Sequence, residues 1–189
     1  MNDLEDTEDL AFGNKAGTFF TVLINNGKDE EYVIFTENWG FEADFLGEEN
    51  CKKIIINGDV GCALGAEMRS GSIVLGGNAG DEVGIVMSGG KIRVDGDVFG
   101  HCGESMEGGE ITIMGNVKPE KNSLRTLLGG TNYLGRAMEN GKIVVMGDVS
   151  VIIGENMTGG EIHLEGDYES IGNVIHGKIY HKGKLIVDK

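Results

Sequence analysis

One proline in 189 residues, three cysteines without a CxxC pair, and few basic residues define this chain first by what is scarce. Cys51, Cys62 and Cys102 are too few and too scattered for a disulfide framework or for a self-contained zinc or iron–sulfur site, so free buried thiols are expected. With 16 Lys and Arg against 31 Asp and Glu, the formal charge is −15. Nucleic acid and anionic membrane both require a basic footprint and are excluded as partners. No apolar run approaches the ~18 residues of a membrane helix, and the acidic N-terminus does not read as a signal peptide. A soluble, cytoplasmic protein is the expectation.

Glycine is abundant, with 33 residues. It does not fall at every third position, which rules out a collagen helix. Instead it marks a longer period. Residues 54–117 write one nineteen-residue pattern three times and begin a fourth copy; its opening phase, Ile54, returns at Ile73, Ile92 and Ile111, then at Ile143 and Ile162. A period this strict predicts stacked copies of one small unit, a solenoid of about six to seven rungs.

Each rung opens with a short strand whose alternate residues, such as Ile54 and Ile56 or Ile92 and Val94, belong to one face. Three further apolar columns follow. The first runs Val60, Ala79, Val98, Val117, Val149, Tyr168; the second Leu64, Val83, Cys102, Leu134, Ile153, Ile171; the third Met68, Met87, Met106, Met138, Met157. The methionines fit flexible packing in a buried column better than a soft-metal path. Corner glycines recur at Gly71, Gly90, Gly109, Gly141, Gly160 and Gly177.

A second set of glycines precedes an acid or amide: Gly58-Asp59, Gly77-Asn78, Gly96-Asp97, Gly115-Asn116, Gly147-Asp148 and Gly166-Asp167. Twelve residues in this register read as structural turns, the glycines giving positive φ or close backbone approach and the Asx side chains capping their own backbone. Calcium binding would need a denser nine-residue repeat, and a phosphate loop would need Lys-Ser or Lys-Thr and a following helix.

The ends differ from the repeat. Residues 1–10 read as an acidic flexible tail and residues 11–50 as an N-terminal β cap. Within it, Thr18 to Ile24 and Tyr32 to Phe35 read as strands around the turn residues Asn25 to Asp29. Trp39, with Phe41, Phe45 and Leu46, is placed to plug the first rung or to meet a partner. Residues 51–189 form the solenoid. In its fourth rung thirteen residues are inserted within about 118–132, in a segment basic for this chain. Insertions in a regular solenoid become loops on one face, and such loops often bind. Lys118, Lys121, Arg125 and Arg136 are therefore candidate partner contacts, with a short helix conceivable over Ser123 to Leu128. The final strand, Leu185 to Val187, leaves an edge suited to another subunit. His101, His163, His176 and His181 are scattered, and Glu104 and Glu155, separated by Arg136, read as an outer charge ladder. No catalytic, cofactor-binding or metal-binding residue is expected.

The stretch Gly-Asp-Val-Gly…Gly…Met-x-Gly-Gly-x-Ile-x-Val-x-Gly resembles the GXGXG repeat family over about residues 51–187. That family comprises the C-terminal domain of the glutamate synthase large subunit and the repeat-bearing, non-catalytic subunit of archaeal formylmethanofuran dehydrogenase. The resemblance implies a right-handed parallel β-helix serving as a spacer or as support for catalytic partners. It makes Gly58, Asp59, Met87, Gly89, Gly90, Gly96 and Asp97 residues of the fold and transfers no catalytic residue. A non-catalytic structural or assembly subunit of an oxidoreductase complex is the expected function, without a cofactor of its own. The alternative is a stand-alone homo-oligomeric solenoid enzyme, or a small-ligand-binding module with its site in a cleft between subunits.

Overall fold

A computed structural model describes residues 5–120 and 130–189, with side chains from Lys15 onward within those ranges. The described chain is a right-handed parallel β-solenoid of about seven turns behind an N-terminal segment. One helix, α1 (Glu5–Asn26), precedes the strands β1 (Glu31–Phe35), β2 (Lys53–Asn57), β3 (Ser72–Leu75), β4 (Lys91–Val94), β5 (Val98–Phe99), β6 (Glu110–Ile113) and β7 (Val117–Lys118). After the insertion come β8 (Tyr133–Leu134), β9 (Lys142–Val145), β10 (Val149–Ile153), β11 (Thr158–Leu164), β12 (Tyr168–Ile171), β13 (His176–His181) and β14 (Lys184–Asp188). Among the described residues, the larger sheet runs β1-β2-β3-β4-β6-β9-β11-β13-β14 and the smaller one β12-β10-β7-β5.

The stacking register reproduces the sequence period. Ile54 pairs with Ile73, Ile73 with Ile92, Ile92 with Ile111, Ile111 with Ile143, Ile143 with Ile162 and Ile162 with Ile179. Val60, Ala79, Val98, Val117, Val149 and Tyr168 stack in a second column, and Val83, Cys102, Leu134, Ile153 and Ile171 in a third. All five column methionines are fully buried. Each Met methyl lies beneath a glycine of the next corner: a Cβ on Gly90 would stand 2.7 Å from Met68 Cε, and one on Gly109 2.7 Å from Met87 Cε. Thioether column and corner glycine are thus two halves of one packing unit. The last turn is shorter, and buried Val174 packs beneath Gly154.

The N-terminal end departs from expectation. Thr18 to Ile24, read as a strand, lies in α1, which begins at Glu5 inside the segment read as a tail. The reason is the partner surface. Ala16, Gly17, Thr21 and Ile24 recur at helical spacing and are buried, whereas Phe19, Val22 and Leu23 are exposed. Burial of one helical stripe over the end of the solenoid outweighs the strand preference of Phe, Thr and Val. Thr21 fixes the helix by donating to the Phe45 carbonyl (3.0 Å) and accepting the Gly47 N–H (2.8 Å). A Cβ on Gly17 would stand within 1.7 Å of the Asp44 carbonyl oxygen, so only glycine allows this approach. Tyr32 to Phe35 is a strand as read, but β1 pairs in parallel with β2 and adds a rung rather than half of a hairpin. At the other end β14 turns back antiparallel on β13 and, among the described residues, is the edge strand of the large sheet. Among the described residues, no helix is long and apolar enough to cross a membrane.

Candidate functional site

The glycine–Asx register is built differently from the turn caps read in the sequence. Each Asx side chain but the last, Asp167, reaches across to the next rung and accepts the backbone N–H of its counterpart there. Asp59 Oδ1 accepts from Asn78 (2.6 Å), Asn78 from Asp97 (2.8 Å) and Asp97 from Asn116 (2.7 Å). Asn116 then accepts from Asp148 (2.9 Å) and Asp148 from Asp167 (2.8 Å). The preceding glycines are required mainly by contact. Gly58 has φ +110°, but Gly77, Gly96, Gly115, Gly147 and Gly166 are outside the left-handed region. A Cβ on Gly96 would meet the Gly77 carbonyl oxygen at 2.5 Å, while its N–H donates to that oxygen at 3.0 Å. Inter-rung bonds therefore use these polar groups for the fold.

Two of the proposed contact cations are engaged in the same way. Lys118 forms an ion pair with Asp97. Burial would raise the Asp97 carboxyl, but Lys118 and the Asn116 donors hold it below its ordinary range. Arg136 bonds Glu104 at 2.8 Å and lies 5.3 Å above the Tyr133 ring. Glu155, read in one ladder with Glu104, instead accepts the Asn173 N–H at 2.7 Å. Lys121, Arg125 and the helix considered over Ser123 to Leu128 lie outside the described residues, as do residues 1–4 of the N-terminal tail. Trp39 stacks between Phe20 (4.9 Å) and Phe41 (5.3 Å) against the first rung, in the plugging position.

The insertion is pinned at both feet. At the first, the Glu120 N–H donates to Asn132 Oδ1 (3.2 Å), closing the loop upon itself. At the second, buried His101 brackets the chain: Nδ1 lies 3.0 Å from Asp81 Oδ1, and Nε2 3.1 Å from the Thr131 carbonyl oxygen. Burial alone would push the Asp81 carboxyl up, but the ring and backbone donors of His101 hold it below the usual range. Both imidazole nitrogens face acceptors. The sequence shows His101 only as one of four scattered histidines and hides its pairing with Asp81, because the two lie 20 residues apart, one rung plus one position.

Beside the first foot opens a cavity of about 600 Å³. Val60, Ala79 and Phe99 form its floor, Glu42 one wall, and Lys118, Pro119 and Glu120 the other. A second cavity, of about 480 Å³, shares Glu42 and Asp59 and reaches Trp39 and Phe41. The Glu42 carboxyl is raised, first by partial burial and then by the charges of Asp44, Glu120 and Asp59. The arrangement suits a polar or cationic guest over an apolar floor. It brings Lys118 and Asp59 together at one cavity but leaves Arg136 at the other foot.

Among the described residues, no three His, Cys, Asp or Glu side chains gather as a metal site. The thiols differ from the buried set expected: Cys102 is buried, Cys62 half-buried and Cys51 exposed. Burial raises the Cys102 thiol to about 12 and Cys62 to about 11, so neither is a reactive thiolate at neutral pH. No protein-family model matches the chain, and no curated protein matches it.

Proposed function

We propose that this chain is a structural or assembly subunit of a larger cytoplasmic complex, of the glutamate synthase or formylmethanofuran dehydrogenase type. The observation that carries the reading is the footing of the insertion. A rung that spans 32 residues where its neighbours span 19 is tied down through Glu120–Asn132 and through His101–Thr131. Feet fixed on one side of the solenoid hold the insertion at one place on its surface, and loops inserted in a regular solenoid often bind partners. The repeat-family resemblance points to the same role. The test is recovery of a tagged chain from its own organism under anaerobic, low-salt conditions, with the co-purifying chains identified by mass spectrometry. Peptides of a glutamate synthase or a molybdopterin-type dehydrogenase are expected; recovery of this chain without any other would overturn the proposal.

The second reading, a small-ligand-binding module, is favoured by the cavity at Glu42 and Lys118, whose volume lies within the ~300–1,000 Å³ of small-molecule sites. Under this reading, a screen of small organic cations by thermal shift gives a ligand whose stabilisation is lost in Glu42→Gln. The absence of any stabilising compound counts against it.

A further inference from the structure

The outer face of the large sheet carries two rows of side chains in strict register. In the first, Glu31 stands beside Lys53, then Ser72, Lys91, Glu110, Lys142, Glu161 and Lys178, one residue per parallel strand. Apart from Ser72 the signs alternate where neighbours meet, with ion pairs at Glu31–Lys53 (2.9 Å) and Lys91–Glu110 (3.2 Å). The second row, two residues along each strand, runs from Val33 through Ile55, Val74, Arg93, Thr112, Val144 and His163 to Tyr180 over the same pairings. Exposed apolar side chains lie on this face as well: Phe35 at 65 %, Val33 at 52 %, Met146 at 43 % and Met114 at 38 %.

An alternating ladder with an even number of rungs is its own complement when reversed. We propose that this face binds a second copy of the chain, sheet on sheet, with the two solenoid axes antiparallel and a twofold axis along the strand direction. That operation sets each row against itself in reverse order. Glu31 then faces the partner copy's eighth rung at Lys178, Lys53 faces Glu161, Ser72 faces Lys142, and Lys91 faces Glu110 beside the axis. In the second row Val74 faces Val144 and Val33 faces Tyr180. A slip of one rung would set Glu31 against Glu161 and Lys53 against Lys142, so like-charge repulsion fixes the register.

Charge and area both favour this occupant. The protein carries −15, yet the first row holds three acids and four lysines, so this face is spared the self-repulsion of the rest. Eight strands spaced ~4.8 Å apart, each presenting about five residues of ~3.3 Å, offer about 600 Å² per copy. The pair would bury about 1,200 Å², the lower bound of standard specific interfaces. The inference goes beyond the assembly role proposed above and does not depend on it.

Sedimentation equilibrium of the full chain tests it. A species of twice 20.2 kDa is expected. Glu31→Lys and Lys178→Glu should each weaken self-association by about tenfold or more, while the double variant restores it. β1 and β13 lie seven strand spacings apart, ~34 Å, so the rescue must act between chains. The strain each substitution adds against Lys53 or Glu161 within its own chain is not relieved in the double variant. Thermal melts by circular dichroism confirm that all three variants fold. A monomer at every concentration, a dimer indifferent to the single substitutions, or a double variant as weak as the singles would each overturn the proposal. Association only with a different protein appears as the first of these.

Discussion

At the scale of single residues, two glycine classes that look alike in the sequence work by different physics. Gly109 combines φ +89° with atoms at 2.7–3.0 Å from a would-be Cβ; Gly183 has φ +72° and nothing within 4 Å. Gly109→Ala is expected to lose about 2–4 kcal/mol in urea unfolding, and Gly183→Ala only about 1 kcal/mol, the cost of left-handed backbone alone. Gly96→Ala, without left-handed backbone but 2.5 Å from the Gly77 oxygen, should resemble Gly109→Ala. Equal losses at all three would mean that inter-rung contact is unimportant. His101 provides the second test. A carboxyl held below its unfolded pKa stabilises the fold at neutral pH, and that contribution fades as pH falls from about 4 through the lowered folded value. His101→Leu strands Asp81 without its ring partner and should cost about 3–5 kcal/mol at pH 7. The deficit should shrink towards pH 3, where Asp81 can protonate. A pH-independent deficit would assign the loss to packing.

At the scale of elements, α1 acts as a cap whose hold on the solenoid is polar as well as apolar. Thr21→Val keeps the shape but removes both bonds to the 45–47 turn, leaving the Gly47 N–H without its acceptor. A loss of about 1–3 kcal/mol is expected. Since each rung touches only its neighbours, hydrogen exchange should rise in α1, β1 and β2 while β9 to β13 keep their protection. Uniform acceleration along the chain would exclude a local cap. This element was also the least legible in the sequence. Phe19, Phe20, Thr21 and Val22 have strand preferences, and the telling signal, small residues at Ala16 and Gly17 one turn before Thr21, has no repeat to reinforce it. The rungs were legible because any one position could be checked against five others. The polar footing of the insertion was not, since Asp81, His101 and Thr131 belong to three different turns and meet only after stacking. Nor did the Asx register disclose its direction: an Asn or Asp after glycine predicts a bonded turn, but whether the bond is to its own backbone or to the next rung depends on the stacking distance.

At the scale of the whole molecule, the strand, methionine–glycine and Asx contacts of the solenoid recur between adjacent turns, so its stability should grow with their number. Tandem duplication of residues 143–161 is the cleanest trial. The duplicate starts and ends in phase, since Ile143 already stacks on Ile162. Its Gly147-Asp148 pair would sit on the original Asp148, and its Gly160 would cover the original Met157, as Gly177 does now. All existing interfaces survive and one is added. The longer chain should fold with the same β spectrum and with a denaturant slope about one-tenth larger, because that slope follows the surface exposed on unfolding. Its midpoint should not fall. Two resolved transitions would still fit stacked units, and would mean that cooperativity no longer spans the chain. Failure to fold would show that the turns are not interchangeable, and that the insertion and α1 position the remaining rungs globally rather than through nearest neighbours.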